Sequence, residues 1–549
     1  MYIYTKQFHR DAYFVALILM AASLPLSRFG MSVMQFTLLG LWIWAGFSFK
    51  TVFDNFGSKG FSGISWFLLY MWELTRTNFI HKFRLFFKNK AAVVLSSLFL
   101  LHVIGLVHTS DFSYAMKDLR IKLPLLALPL IISTMPALNR QKFLQVMLFH
   151  LIAVLIGTFF SIYELIRGEF TDIRGISVFI SPIRFSLNIC IAIFTAAYLT
   201  FAGRNLHMAY RILFLAIALW LSYFLFILES GIGLIIIIST LVFILIYLIM
   251  MQKRLVLKVI MTTAVIGLPS VLIFYTYSTI QDFNKVEPVD FEHLDKYTQS
   301  GNKYLHDTVY MGIEDGLYCG LYLAPGELEK EWNKRSNLDY HGNDRKGQEL
   351  KVTLIRFLTS RGLRKDKEGV EKLTDDEIKA IERGIANVNY LNNPSLRTRI
   401  SKIMIGYHNY QYADDPNGSS VLQRIEYWKA SLNIIDDNII AGVGTGDMNK
   451  VFEEYYDETN SPLSKKNRWR SHNQYLSIFI AFGIFGFAWF LVTLLYPPIK
   501  QKMLFDYFYF VFFMTIALSM MTEDTIETQA GVTLYAFYNS FLLFGRKQG

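Results

Sequence analysis

Long, nearly uncharged apolar segments are the feature that most constrains this chain. Stretches such as 91–107, 143–166 and 231–251 run for about 17 to 25 residues, the length that crosses a hydrocarbon layer ~30 Å thick. Core helices of soluble proteins alternate apolar and polar faces, and these segments do not. With 53% hydrophobic residues and a mean hydropathy of +0.32, the chain is predicted to be an all-α polytopic membrane protein.

About twelve transmembrane helices are predicted, with one large polar segment between the ninth and the tenth. The predicted spans are 13–27, 31–49, 91–108, 121–138, 143–166, 185–201, 212–228, 231–251, 255–278, 473–495, 503–521 and 531–544. The apolar stretch 61–74 is short and interrupted by Glu73, so it is predicted to be an interfacial helix. The chain is thereby divided into helices 1–9 over 1–279, a mainly helical segment over 280–471, and helices 10–12 over 472–549.

The charges of the short loops predict the orientation in the membrane. Lys and Arg recur in alternate loops, for example at 82–90 and 253–258, whereas the turn 522–530 carries neither. Cytoplasmic loops are enriched in these residues, so both ends are predicted inside and the segment 280–471 outside. The net charge of +10 comes from the membrane part, because the segment 280–471 is slightly acidic, and anionic lipid headgroups explain most of that positive charge. Membrane lipids are therefore expected partners, and nucleic acid is not.

Motifs with chemical meaning concentrate where the outer segment returns to the membrane. Arg424 precedes Trp428 by one helical turn, and AGVGTGD follows with Gly442, Gly444 and Gly446. A dinucleotide-binding loop would need a surrounding βαβ unit, which the sequence does not suggest. The three glycines are instead predicted to let the chain turn tightly above the membrane.

A basic run and a histidine stand at the mouth of the next predicted span. His472 could lie at the interface as a snorkelling side chain, or it could act as a general base on a sugar hydroxyl. Lys466, Arg468 and Arg470 precede it. They could form an interfacial belt, or a phosphate clamp, because guanidinium groups match phosphate oxygens bidentately. Both alternatives stay open for the histidine and for the basic run.

Further cations fall on or beside short outer loops, where they should be scarce. Arg184 opens a span in SPIRFSLNI and is expected to face protein or water unless it snorkels at the helix end, and Arg120 lies in an earlier loop. The main carboxylates noted in these loops are Asp111, Asp118, Glu169 and Asp172. They form no convincing metal site, so neither a metal nor a cofactor is predicted.

The order of these motifs resembles the O-antigen ligase family of bacterial membrane glycosyltransferases, which includes lipopolysaccharide O-antigen ligases and related polymerases. The resemblance rests on R-x-x-x-W at Arg424, GVGTGD from Gly442, HNQYL from His472, the paired Gly483 and Gly486, and the large outer segment. That segment, with its GELEKEWNKRS, also looks like the version found in Bacteroidetes-type members.

The resemblance implies a metal-independent, inverting glycosyltransferase in the bacterial inner membrane with its active site facing the periplasm. The donor would be a glycan on undecaprenyl diphosphate, and the acceptor a sugar hydroxyl of lipid A-core. Arg424 would bind the diphosphate, and His472 would activate the acceptor. The residues predicted to contact substrate are Arg184, Arg468, Arg470, Lys466, Trp428, Asn473, Tyr475 and Arg120.

One departure from the family and three alternative functions stay open. Family members often carry Ser-Arg at the start of the eighth span, where this chain has Glu229, Ser230 and Gly231. Arg184 is the candidate to supply the missing cation. A polysaccharide polymerase or an O-linking protein glycosyltransferase would use the same lipid-linked donor. A lipid-linked-sugar flippase would rarely interrupt its spans with so long an outer segment.

Overall fold

A computed structural model describes residues 2–48, 51–55, 62–167, 173–202, 206–307, 312–391 and 396–547. Over these ranges the chain is almost entirely helical. Before the large polar segment the helices are α1 (Tyr2–Leu26), α2 (Arg28–Ile43), α3 (Ser62–Lys88), α4 (Lys90–Ile104), α5 (Phe112–Lys122), α6 (Pro124–Thr134), α7 (Arg140–Arg167), α8 (Pro182–Phe201), α9 (Met208–Ile227), α10 (Gly231–Met251) and α11 (Leu255–Asn284).

After α11, the residues that the structure describes add one small hairpin and ten helices longer than a single turn. The hairpin pairs β1 (Ile313–Glu314) with β2 (Leu317–Tyr318) in antiparallel register. The helices are α12 (Pro325–Arg335), α13 (Leu350–Ser360), α14 (Lys367–Glu371), α15 (Asp375–Glu382), α16 (Leu396–Ala413), α17 (Ser420–Asp437), α18 (Met448–Glu458), α19 (Gln474–Lys500), α20 (Tyr507–Met520) and α21 (Gln529–Phe544).

Seven helices of the described residues are long and apolar enough to cross a membrane. They are α4 with the 3₁₀ turn that extends it to His108, α7, α8, α9, α10, α11 and α19. The chain is therefore a polytopic, nearly all-α membrane protein, as predicted. The count of twelve spans and the side on which the large segment lies stay predictions.

Two predicted elements differ from the structure. The predicted span 121–138 is divided, because α5 ends at Lys122 and Pro124 starts α6 at a first-turn position where its missing N–H costs nothing. The predicted interfacial helix 61–74 is the beginning of the much longer α3. Its apolar part ends early, but no proline stops the helix before Lys88.

The chain forms two compact units. The first comprises Met1–Gly168, Arg174–Ile244 and Ser420–Gly549. Within it, α8 and α21 are the most enclosed helices, and their buried faces carry polar side chains such as Asn188 and Asn539. Outer helices such as α9 expose large apolar side chains, as expected of helices that face lipid.

The second unit consists chiefly of residues 245–419. Trp332, Leu354, Phe357 and other apolar side chains of α12 to α15 form its core. Thr374 and Glu377 form a capping box at the start of α15. The unit ends at Ser419, so α17 and α18, which lie within the predicted segment 280–471, belong to the first unit. The predicted division at 279/280 and 471/472 follows the side of the membrane on which each segment lies, and it stays a prediction.

Candidate functional site

Helix α19 is broken at Gly483, where φ is +63° and ψ is −168°. These angles lie in a region that is essentially restricted to glycine. The break frees carbonyl groups, and the glycine loop (residues 438–447, between α17 and α18) uses them. The N–H of Val443 donates to the carbonyl of Ile480, and that of Gly444 to the carbonyl of Ala481, both at 2.9 Å. Irregular backbone in a spanning helix must be satisfied by protein in this way.

The three glycines of this loop have no room for a side chain. Gly442 and Gly444 have left-handed backbone, with φ of +70° and +88°. A Cβ on Gly442 would lie 2.5 Å from the carbonyl oxygen of Ala481. On Gly446 it would lie 2.2 Å from the carbonyl oxygen of Asp111. Any larger residue would push the loop away from α19 or from the start of α5.

Asp447 fixes the end of the glycine loop to the start of α5. Its carboxylate accepts hydrogen bonds from the N–H of Ser110 at 2.7 Å, from the Ser110 hydroxyl at 2.7 Å and from the N–H of Asp111 at 2.9 Å. Burial would raise the pKa of Asp447, but these bonds outweigh it and hold the pKa below the ordinary value of 3.8. The loop is therefore a rigid support.

A short acidic turn (residues 522–528, between α20 and α21) is the centre of the candidate site. It carries Glu523, Asp524 and Glu527 within the sequence TEDTIET. The side chains of Glu523 and Glu527 are only 7% and 8% exposed. Buried carboxylates need charged or hydrogen-bonding partners, and here cations from separate parts of the first unit supply them.

Arg424 on α17 reaches the acidic turn with two of its three guanidinium nitrogens. Nη2 lies 2.6 Å from Oε1 of Glu523, and Nε donates to the carbonyl of Thr522 at 3.1 Å. Nη1 donates back to the carbonyl of Ser420 at 3.2 Å. The side chain is still 25% exposed. The guanidinium is thus held in one orientation while part of it stays open to a ligand.

His472 lies beside the other oxygen of the same carboxylate. Its Nδ1 is buried and lies 3.6 Å from Oε2 of Glu523, while the side chain as a whole is 34% exposed. The ring also lies against Tyr427, with centroids 5.4 Å apart. The backbone of His472 has φ of +44°, an uncommon left-handed conformation that turns the chain into α19.

Arg184, at the start of α8, is buried beneath the acidic turn. Nη2 donates to the carbonyl of Asp524 at 2.8 Å, and Nε donates to the hydroxyl of Thr528 at 3.2 Å. Nη1 is buried without a hydrogen-bond partner among the described residues. Arg184 therefore faces protein and does not snorkel at the helix end.

A second set of charges joins α5 to the acidic turn. Nζ of Lys122 lies 2.7 Å from both Asp118 and Glu527, and all three side chains are less than one-tenth exposed. Nη1 of Arg470 lies 3.8 Å from Glu527 and donates to the hydroxyl of Tyr114 at 3.0 Å. These four charged groups line a small cavity beside the break in α19.

The pKa values of the turn follow from this balance of charges. Burial would raise the pKa of Glu523, but Arg184, His472 and Arg424 outweigh it, so the pKa lies below the ordinary 4.5. Lys122 and Arg470 do the same for Glu527, whose pKa lies well below 4.5. Both glutamates are therefore anionic at neutral pH.

Other predicted substrate-binding residues have structural contacts. Asn473 is the N-cap of α19, where its side chain accepts from the N–H groups of the first turn. The Tyr475 hydroxyl donates to the carbonyl of Ala517 at 3.1 Å. Arg468 pairs with Asp457 at 2.5 Å. Contact of these residues with substrate stays a prediction.

The three remaining residues predicted to bind substrate differ in their exposure to solvent. Lys466 and Arg120 are exposed, and Trp428 is half-buried with its indole N–H lacking a partner among the described residues. Four of the predicted site residues meet around the acidic turn: Arg424, His472, Arg184 and Arg470.

The acidic turn was not predicted from the sequence. The stretch 522–530 entered the prediction only through its lack of Lys and Arg, and the loop carboxylates considered were Asp111, Asp118, Glu169 and Asp172. Glu169 and Asp172 lie outside the described residues. Three acids in a short turn between two apolar helices were the available signal, because such a cluster needs cations from elsewhere.

This arrangement favours chemistry on an anionic substrate. Partly exposed guanidinium groups can bind phosphate oxygens, and an imidazole beside them can accept a proton. Within the described ranges, no three His, Cys, Asp or Glu side chains are arranged to hold a metal ion. The metal independence expected from the sequence stays a prediction.

Comparison with known proteins assigns a family to part of this region. Residues 374–491 match the family model described as O-antigen ligase. The match includes Arg424, the glycine loop and His472, but not Arg184 or the acidic turn. No curated protein matches the chain.

Proposed function

We propose that this chain, a member of the O-antigen ligase family by its residues 374–491, is a glycosyltransferase. It transfers a glycan from undecaprenyl diphosphate to lipid A-core. The transfer would take place at the periplasmic face of the bacterial inner membrane, with inversion. One observation carries the proposal. Arg424 and His472, which are 48 positions apart, reach the two oxygens of one buried carboxylate, Glu523.

Arg424 is the proposed diphosphate-binding residue. Lipid diphosphate is a good leaving group, and a fixed cation that neutralises its developing charge lowers the barrier to departure. The open part of the Arg424 guanidinium suits this task. Arg184 and Arg470, which face the same turn, would add positive potential without direct contact being required.

His472 is the proposed general base. The acceptor hydroxyl attacks the anomeric carbon of the donor sugar, and the imidazole takes the hydroxyl proton as the new C–O bond forms. The bond from the sugar to the diphosphate breaks in the same displacement, which accounts for the inversion. The diphosphate leaves as an anion, so no general acid is needed. No step requires a metal ion or another cofactor.

The test pairs turnover with donor binding on purified variants. His472→Ala is expected to lower turnover by about 10² to 10⁴ with donor affinity nearly unchanged. Arg424→Lys keeps the charge but loses the planar fork, so it should weaken donor binding or turnover. Matched controls are His293→Ala and Arg345→Lys, whose side chains are 81% and 60% exposed in the second unit. Normal transfer by His472→Ala would refute the assignment of His472 as the general base.

The acceptor decides between the enzyme classes. In a deletion strain, loss of all O-chains from the lipopolysaccharide supports a ligase, and a single attached repeat supports a polymerase. Loss of glycan from proteins instead supports an O-linking protein glycosyltransferase. Movement of the lipid-linked donor across vesicles without any transfer product would identify a flippase and refute the proposal.

A further inference from the structure

Glu523 contacts both residues to which the proposed function gives a chemical role. We infer that Glu523 is a positioning residue that orients the His472 base and compensates the charge of Arg424 while no donor is bound, an inference that rests on the proposed function. Oε1 lies 2.6 Å from Nη2 of Arg424, and Oε2 lies 3.6 Å from Nδ1 of His472. The residue lies outside the span matched by the family model.

The acidic turn fixes the Glu523 carboxylate relative to both partners. The carbonyl of Thr522 accepts from Nε of Arg424, which ties the turn to α17. Three residues after Glu523, the N–H of Ile526 donates to the side chain of Gln474 at 2.9 Å, which ties the turn to the start of α19. A carboxylate on such a support is held in place, as a positioning group must be.

The contact with His472 selects one tautomer of the imidazole. A carboxylate is an acceptor only, so the ring nitrogen that faces it must carry a proton. Nδ1 is the nitrogen that faces Glu523, which leaves Nε2 with a lone pair to accept the proton of the sugar hydroxyl. When the ring becomes an imidazolium, the attraction to Glu523 increases. The aspartate of a Ser-His-Asp triad acts on its histidine in the same way.

The distance of 3.6 Å between Nδ1 of His472 and Oε2 of Glu523 is longer than a hydrogen bond. Such contacts are often long in substrate-free enzymes and shorten when substrate binds. The His472 side chain is 34% exposed, so protein does not enclose the ring on every side.

The contact with Arg424 has the opposite consequence for the donor. In the absence of substrate, Glu523 compensates the charge of Arg424, whose side chain is only 25% exposed. A bound diphosphate would be a second anion near the same guanidinium, and the two anions would repel each other. Removing the charge of Glu523 should therefore lower turnover through His472 without weakening donor binding. A residue needed only for folding would lower turnover, donor binding and thermal stability together.

The experiment measures turnover, donor affinity and melting temperature of the full chain in detergent, with undecaprenyl-diphosphate-linked glycan as donor. Glu523→Gln is expected to reduce turnover by about 10² to 10⁴ and to bind donor as tightly as the wild type or more tightly. Glu523→Asp, which keeps the charge on a shorter side chain, should recover part of the loss. In a His472→Ala background, Glu523→Gln should cause no further loss of turnover.

Glu527→Gln is the matched control, because it removes the other buried glutamate of the acidic turn. Glu527 contacts Lys122 and Gln474 rather than His472. The Glu527→Gln substitution is expected to lower the melting temperature. Any effect that it has on turnover should persist in the His472→Ala background.

The outcomes separate this inference from the proposed function. If the wild type shows no transfer, or if His472→Ala transfers normally, the proposed function fails. If His472→Ala is impaired while Glu523→Gln turns over normally, only the role of Glu523 is refuted. It is also refuted if the two substitutions reduce turnover additively, or if Glu523→Gln loses donor affinity together with thermal stability.

Discussion

Replacing Gly483 with alanine should disrupt the support on which the candidate site is built. The backbone of Gly483 has φ of +63° and ψ of −168°, and a non-glycine residue held in such a conformation costs about 1 to 3 kcal/mol. The added Cβ would also lie 2.2 Å from the carbonyl oxygen of Ile440 in the glycine loop. That atom belongs to the backbone and cannot rotate away as a side chain can.

The conformational cost and the steric cost add, because the first arises from the backbone angles of residue 483 and the second from contact with Ile440. Overpacking of this kind costs about 1 to 3 kcal/mol in well-packed proteins, so the total loss should be about 2 to 6 kcal/mol. If the loop moves away instead, it loses the bond from the N–H of Ile484 to the carbonyl of Ile439, which measures 2.8 Å. Glycan transfer should fall in either case, because the part of α19 before Gly483 follows directly on His472.

Thermal unfolding in detergent and glycan transfer by the same preparation provide the assay. Gly267→Ala in α11 is the matched control, because a Cβ there meets nothing within 4 Å, and alanine favours a helix more than glycine does. The control should melt at or above the wild-type temperature. A Gly483→Ala protein with wild-type melting temperature and wild-type transfer would show that neither the strain nor the clash exists.

Three further predictions concern other parts of the protein. Lys122→Met should destabilise the fold by about 3 to 5 kcal/mol, because buried Asp118 would lose its cation and Glu527 would keep only Arg470, at 3.8 Å; a melting temperature equal to that of the wild type contradicts this. Transfer by the purified protein should survive excess EDTA, and a loss that magnesium or manganese restores would refute metal independence. Alkaline phosphatase fused after Gly342 should be active and after Arg254 inactive, and the reverse pattern would overturn the predicted topology.

Sequence alone was sufficient for the features that depend on local composition. Apolar segments long enough to cross a membrane identified the class of protein, because backbone groups in lipid can be satisfied only by helices or closed barrels. Short-range patterns were also readable, such as the capping box of Thr374 and Glu377. The motifs around Arg424 and His472 suggested the family, and residues 374–491 match its model.

The tertiary structure decided which charges meet. Glu523, Asp524 and Glu527 lie some 50 residues beyond His472 and about 100 beyond Arg424, and nothing in the local pattern indicates that α17, the start of α19 and the acidic turn converge. Ion pairs between such distant positions depend on how helices pack, since a side-chain contact reaches only a few ångströms. The same holds for the break at Gly483, whose freed carbonyls are satisfied by a loop some 40 residues earlier. Composition thus fixed the environment of the chain, and helix packing fixed the partners of its buried charges.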